Sequence, residues 1–386
     1  MNRVRVGHAR TGKVGKVGKK SEVHETMNKL LIAGASGLVG FAAVRHFARL
    51  NDWEVVAISR RMPVAVDGAT FISVDLQDQQ RCREIFGQMT DVTHLVYAAL
   101  YEKPSLIQGW SQRDQMETNL AMLKNLLEPL NAAANLRHVS LLQGTKAYGA
   151  HLGPMRIPAR ERDPRHPHAN FYWLQEDYLR AKQAGSSWSW TILRPQLVVG
   201  EAIGGNLNII PVIGVFAALR KEAGLPLLFP GGPPFIFEAV DAGLLARSFE
   251  WAATTSACAN EIFNITNGDV FVWDEVWPAI ADALGMEVGP PEPVCLQDEM
   301  PKKAAEWAAI ARKYRLRSPA DVNAFVGESF EFADFCFAYG ADRSPRPAIV
   351  STIKTRQAGF HDCMDTEDMF GKWFRHFQNE RLLPPR

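Results

Sequence analysis

Four short segments carry residue types at spacings that could do chemistry. Gly34, Gly37 and Gly40 recur at intervals of three in Gly34-Ala35-Ser36-Gly37-Leu38-Val39-Gly40. Between a strand and a helix, such glycines make an anion cradle. The first permits a sharp turn, the second lets the backbone reach a pyrophosphate, and the third lets the helix pack closely on the strand. Ser59-Arg60-Arg61 offers two adjacent guanidiniums, suited to a further phosphate. Tyr172 in Asn170-Phe171-Tyr172-Trp173 and Lys146 in Gly144-Thr145-Lys146-Ala147-Tyr148 supply a phenol and an ammonium. A phenol O–H aimed at an oxygen that gains negative charge acts as an oxyanion-hole donor. One helical turn after Tyr172 stands Glu176.

The elements that must position these residues follow from apolar periodicity. Lys29 to Ala33 is a short apolar run of buried-strand type, and Phe41, Val44, Phe47 and Ala48 then recur at helical spacing. Further strands are predicted over 54–59, 70–74, 94–98, 138–142 and 188–193. Helices are predicted over 77–86 and 116–130. Strands alternating with helices predict a parallel, doubly wound sheet of Rossmann type with right-handed crossovers. Past Gly200 the rhythm degrades through Pro226, Pro230, Gly231, Gly232, Pro233 and Pro234. A strand over 262–265 and helices over 274–284 and 302–313 follow. The chain therefore reads as an NADP-binding Rossmann domain over 29–200 and a smaller, mainly helical substrate lobe over 201–386, interleaved with the last sheet strands.

The glycine loop and its flanking strand and helix predict a dinucleotide site, with the helix N-terminus facing the pyrophosphate. An acidic residue at the end of the second strand would hold the ribose hydroxyls of NAD; Ser59-Arg60-Arg61 favours NADPH instead. The expected cofactor set is Gly34, Ser36, Gly37, Leu38, Val39, Gly40, Ser59, Arg60, Arg61, Asp75, Leu76, Ala99, Gln143, Pro195 and Val198. Asp75 serves either as an adenine contact or as a helix cap.

Composition excludes several functions. With 43 Lys and Arg against 42 Asp and Glu, the net charge of +1 predicts no nucleic-acid partner. The five cysteines (Cys82, Cys258, Cys295, Cys336, Cys363) have no paired spacing and read as reduced, cytoplasmic thiols. The longest apolar run, 207–219, is too short to span a bilayer and is broken by Asn208, Pro211 and Gly214, so it predicts a buried helix or pocket wall. Residues 1–28 form a basic, glycine-interrupted tail without a secretory apolar core. They predict a disordered segment, or an upstream start with Met27 as the true beginning. His166 and His168 flank Pro167 and, lacking acidic or cysteine partners, are expected to face solvent rather than bind metal. Glu161 and Asp163 are expected to be surface charges.

These residues resemble the progesterone 5β-reductase/iridoid synthase group, an atypical branch of the extended short-chain dehydrogenases. The resemblance runs from about Lys29 to Pro384. It rests on the glycine loop, Ser59-Arg60-Arg61, 142–148, 170–177, Arg194-Pro195, 263–271 and Gly359-Phe360. Ordinary short-chain dehydrogenases carry a lysine one turn after the tyrosine; here Glu176 takes that place and Lys146 ends the fifth strand. The resemblance implies that Lys146 and Tyr172 are a catalytic pair reducing the activated C=C bond of enones with NADPH. Tyr172 stabilises the enolate, while Lys146 orients the nicotinamide ribose and lowers the phenol pKa. It also implies that Tyr148 is structural, and that Gly144 stands where a serine or threonine donor is usual. Trp173, a tyrosine in many plant members, is expected to reshape the pocket.

Tyr97-Ala98-Ala99-Leu100 replaces a tryptophan-bearing segment of the plant proteins, so Leu100 predicts a roomier, less aromatic wall. Leu100 and Phe216 are the expected substrate contacts, with Phe235 and Phe237 as further candidates; the predicted substrate is a small apolar carbonyl compound. Extended members commonly pair through two long helices, here 116–130 and 172–183, which predicts a homodimer. Three other readings stay open: a carbonyl reductase, a sugar-nucleotide epimerase or dehydratase, and a catalytically silent NADP(H) sensor. An epimerase would ordinarily keep the tyrosine–lysine turn that Glu176 interrupts, and a sensor has no need of Lys146 and Tyr172 together.

Overall fold

The computed structural model describes residues 27–61, 66–103 and 109–386, so the basic tail before Met27 lies outside the described residues. Strand β1 (Asn28–Ala33) is followed by helix α1 (Leu38–Phe47) and by strands β2 (Trp53–Ser59) and β3 (Ala69–Ser73). Helix α2 (Gln79–Phe86) leads to β4 (His94–Tyr97), α3 (Arg113–Ala133) leads to β5 (His138–Leu142), and α4 (Phe171–Gln183) to β6 (Ser189–Pro195). These bounds differ from the sequence-based ones by at most three residues, because the apolar runs that fix the strands are short and sharply ended.

The sheet has seven strands in the order β10-β6-β5-β4-β1-β2-β3, all parallel. Here β10 is Glu261–Ile265, reached after the short strands β7 (Leu197–Val199), β8 (Ile236–Phe237) and β9 (Ala239–Asp241). Strand order reverses between β1 and β4. Ala33 pairs with Ile58 on one side and Tyr97 on the other, so the carboxyl ends of these strands open on one edge. A crevice at such a switch point is where open α/β sheets bind ligands. Parallel strands covered on both faces lose their alternation, as β1 and β4 do: Leu30 to Ala33 and His94 to Tyr97 are all buried.

One face of the sheet is covered by α2, α3 and α4 over Leu31, Ile58, Leu95, Leu141 and Ile192. The other carries α1 and helix α6 (Ala242–Thr254) over Leu30, Ile32, Val55 and Phe263. Asp241 caps α6 by accepting from the Leu244 amide at 2.9 Å. Chain beyond residue 200 thus returns to the sheet at α6 and β10. The rest builds a second core around helix α5 (Ile209–Glu222) and the helices Trp273–Leu284, Ser329–Cys336 and Thr366–Asn379.

Helix α5 takes up the long apolar run from Ile209 onward and is buried from Ile209 to Ala218. A helix apolar on every side packs on every side. Its Phe216 is therefore a core residue, 4% exposed, and its ring lies under Arg220 rather than on a cavity wall. The expectation that Phe216 contacts substrate is corrected accordingly. Among the described residues, no helix is long and apolar enough to cross a membrane.

Candidate active site

A cavity of about 800 Å³ opens at the carboxyl edge of the sheet, between β1 to β6 and the helical lobe. Its floor is the glycine loop. Gly34 has φ of +87°, and a Cβ there would sit 2.7 Å from the Ala98 carbonyl oxygen, so turn and close approach both demand glycine. Gly40 does not line the cavity; its Cβ would stand 2.2 Å from the Gly34 oxygen, so it serves the helix–strand packing. Gly37 caps α1, and its missing Cβ would meet only the Gly34 oxygen at 3.3 Å, leaving the helix N-terminus open to an anion.

Ser36, Leu38, Val39, Ser59, Arg60, Arg61, Asp75, Leu76, Ala99, Gln143, Pro195 and Val198 line the same cavity. Arg60 and Arg61 are exposed at its rim, and Arg61 Nη2 donates to the Gly204 carbonyl at 3.2 Å. No acid stands at the end of β2. Asp75 accepts from the Gln77 amide at 3.0 Å, while the cap of α2 is Asp78, so the capping role considered for Asp75 passes to its neighbour. A cradle that a Cβ would fill, a helix N-terminus and two rim guanidiniums together fit a dinucleotide bearing an extra phosphate.

Tyr172 and Lys146 line the far end of the cavity. Lys146 lies in the 3-10 turn Thr145–Tyr148 that leaves β5, and Tyr172 in the first turn of α4. Asn170 ties the two elements together. It caps α4 by accepting from the Tyr172 amide at 3.0 Å, and its Nδ2 donates to the Lys146 carbonyl at 3.1 Å. Gly144 leaves room for the phenol, because a Cβ there would be 3.3 Å from Tyr172 Oη.

The Lys146 ammonium is buried, 3.9 Å from the centroid of the Trp110 ring and 4.0 Å from Glu102 Oε1. Burial lowers its pKa to about 8, against the pull of Glu102. Burial pushes the Tyr172 phenol up, Glu102 pushes it further, and Arg194 only partly offsets them. The phenol is thus held protonated. This corrects the expectation of a lowered phenol pKa: burial and the Glu102 carboxylate dominate its surroundings.

Glu176 explains why no lysine follows Tyr172 by one turn. Its carboxylate is 4% exposed and meets Arg165 at 2.9 Å, Arg180 at 3.0 Å and Arg194 at 3.4 Å. Arg194 Nε also donates to Gln143 Oε1 at 2.8 Å, and Gln143 Nε2 donates to the Tyr172 carbonyl at 3.2 Å. This network ties the start of α4 to the ends of β5 and β6 through the buried carboxylate at position 176.

Glu102 and Trp110 were not anticipated from the sequence. Glu102 has a 6% exposed side chain and accepts from Trp110 Nε1 at 3.1 Å. The one available signal was a charged residue five positions beyond the end of β4, which resembles any loop charge. Leu100 does line the cavity, but Trp110, Tyr101 and Phe171 join it, so this wall is aromatic rather than depleted of aromatics. The lobe contributes Phe235, Phe237, Phe332, Phe335 and Tyr339.

Other expectations are corrected by packing. Trp173 points away from the cavity, its ring against Arg165 and Arg194. His166 and His168 are half-buried, with their Nδ1 atoms 2.9 Å apart, and the His168 ring packs against that of His151. Among the described residues no group of side chains is arranged to hold a metal ion. Glu161 accepts from the Asn264 amide at 2.8 Å, and Asp163 from the Arg160 amide at 2.8 Å, so neither is a free surface charge. Tyr148 is structural, its hydroxyl donating to Asn264 Oδ1 at 2.7 Å.

Residues 73–384 match the family model described as a PRISE-like Rossmann-fold domain. The chain belongs to that family. An (S)-8-oxocitronellyl enol synthase of Antirrhinum majus is 30% identical over 380 residues, covering 92% of each chain. A 3-oxo-Delta(4,5)-steroid 5-beta-reductase of Arabidopsis thaliana is 29% identical over 401 residues, 97% of this chain and 98% of that one. Among solved structures, a UDP-glucose 4-epimerase of Bifidobacterium longum in complex with NAD+ and UDP superposes with a TM-score of 0.64. It covers 92% of this PRISE-like chain and 99% of its own at 14% identity, a likeness of fold.

Proposed function

We propose that this PRISE-like protein is an NADPH-dependent reductase of the activated C=C bond of enones. The observation that carries the reading is the placement of Tyr172 and Lys146, two buried proton-bearing donors, on the wall of the cavity that begins at the glycine loop. Bound NADPH would supply the hydride, delivered to the β-carbon of the enone. Negative charge then collects on the carbonyl oxygen, where the Tyr172 O–H donates a hydrogen bond. One such donor is worth roughly 2.7–4 kcal/mol in other enzymes. A phenol pushed above its usual range stays a donor at neutral pH rather than a base. The buried Lys146 ammonium adds positive charge on the same cavity wall, and Gly34, Gly37, Arg60 and Arg61 bind and orient the dinucleotide.

The relatives named for enone-type reactions support this reading; a steroid 5-beta-reductase acts on a 3-oxo-Delta(4,5)-steroid by its name. The aromatic wall suits an apolar carbonyl substrate. A homodimer paired through α3 and α4 and a cytoplasmic location belong to the same reading, and sedimentation showing only monomer at micromolar concentration would remove the dimer. The test of function is NADPH oxidation by the purified protein against small enones, matched saturated ketones and steroidal enones. Consumption confined to enones, with saturated carbonyl products, is expected. Reduction of the saturated ketones to alcohols would make it a carbonyl reductase instead.

A further inference from the structure

The mechanism above leaves one buried charged group of the cavity unused. Glu102 stands on the loop after β4 with its side chain 6% exposed, and Oε1 is the atom that meets both Trp110 Nε1 at 3.1 Å and Lys146 Nζ at 4.0 Å. The other acidic side chains on the cavity wall have different work. Asp334 accepts from the Leu296 and Gln297 amides at 2.9 Å in the lobe, and Asp75 lies exposed near the glycine loop. Lys146 has its stem in the 3-10 turn, its ammonium over the Trp110 ring and its charge against Glu102. Burial raises the Glu102 carboxyl, and the Lys146 charge and the Trp110 N–H pull the other way, so the carboxylate form depends on these two partners.

We propose that Glu102 is a positioning residue of this active site, its carboxylate holding the Lys146 ammonium charged and fixed against the face of Trp110. The inference rests on the reductase reading for its catalytic consequence, but the pairing itself does not. The titratable groups sharing this wall are Tyr101, next to Glu102 in the chain, His151, on the loop after the 3-10 turn, and Tyr172, at the start of α4. Burial and then the Lys146 charge lower His151 to about 4, so it is neutral at working pH and does not compete for Glu102. Tyr172 gains from the same carboxylate, whose negative charge disfavours a phenolate. Glu102 therefore opposes loss of a proton from either donor, together with burial at Tyr172 and against burial at Lys146. Loss of a proton from either would remove the hydrogen bond or the positive charge that the developing enolate needs.

The sign is definite. A carboxylate near an ammonium raises the pKa of the ammonium, so replacing it with an amide lowers that pKa, by about one unit or more for a pair at this distance. The test uses the full-length protein with its lysines isotopically labelled. The Lys146 side-chain resonance is assigned by its loss in Lys146→Met and titrated in wild type, Glu102→Gln and Glu102→Asp. In Glu102→Gln the Lys146 titration is expected to fall by about one pH unit or more, with Glu102→Asp restoring part of the shift. The alkaline limb of kcat for an enone should move down by the same amount, with about tenfold loss at pH 8.5. NADPH affinity should change by less than about twofold. An unmoved Lys146 titration overturns the pairing, and a moved titration with an unmoved kcat limb overturns its role in turnover. Absence of enone turnover in wild type would count against the reductase reading, while the resonance titration still decides the pair.

Discussion

Glu176→Gln tests the reason given for the displaced lysine. The substitution keeps the shape of the side chain and removes its charge, leaving three guanidiniums around a neutral amide. Arg165 and Arg180 have side chains 40% and 46% exposed, so solvent screens most of their loss. Arg194 is 5% exposed and keeps only its bond to Gln143 and its aromatic contacts with Tyr148 and Trp173. Removing one partner of a buried pair costs about 3–5 kcal/mol. With about 2.1 cal/mol/K of unfolding entropy per residue, that is a fall in Tm of roughly 4–6 °C for a chain of this length. The pH dependence carries a sign as well. Burial alone would raise the Glu176 carboxyl, but the hydrogen bond from Arg165 and the charges of Arg194, Arg165 and Arg180 outweigh it and hold it below the ordinary range. A carboxyl depressed in the folded state contributes stability that is present above its unfolded pKa and is lost as pH falls through the folded value. Scanning calorimetry of wild type and Glu176→Gln should therefore show the full gap at pH 7 and a narrowing gap below about pH 4. A difference under about 1 °C at pH 7, or a gap that ignores pH, would refute the account of Glu176 as the hub of a structural network.

Gly40→Ala drives a Cβ to 2.2 Å from the Gly34 oxygen and must push α1 off the sheet. NADPH affinity measured by fluorescence should fall at least about tenfold. Gly153→Ala, with nothing within 4 Å, should change it little. Arg60→Ala combined with Arg61→Ala should weaken NADPH by about tenfold or more and leave NADH within about twofold, since charge-assisted hydrogen bonds are worth about 1.5–3 kcal/mol. Equal loss for both dinucleotides would place the arginines away from the 2′-phosphate. Lys146→Met should lose most reductase turnover while still binding NADPH, and unchanged turnover would remove Lys146 from the mechanism.

The residues legible in the sequence were those whose geometry is set locally. Three glycines between a strand and a helix can hardly adopt another arrangement, and the short apolar runs of β1, β4 and β5 have only the sheet interior to enter. Tyr172 and Lys146 reached one cavity because the 3-10 turn leaves β5 at the carboxyl edge and α4, which crosses from β5 to β6, starts at that edge. What stayed hidden depends on distant chain. Phe216 looked like a wall residue because the sequence does not show that α5 is enclosed on every side by later helices. Glu102 and Trp110 lie in irregular chain after β4, where no periodicity marks which side chain turns inward. Glu161 and Asp163 looked like surface charges because their partners, backbone amides of Asn264 and Arg160, are invisible to residue spacing.

The central claim is that hydride goes to carbon β of an enone while Tyr172 holds the oxygen. It is tested most directly by turning over a small enone with NADPH deuterated at the transferred position and locating the label by NMR. The account predicts deuterium at the β-carbon of a saturated ketone, with the yield per unit time falling about 10²–10³-fold in Tyr172→Phe. Deuterium on the carbinol carbon of an allylic alcohol, or a Tyr172→Phe variant as fast as wild type, would contradict it.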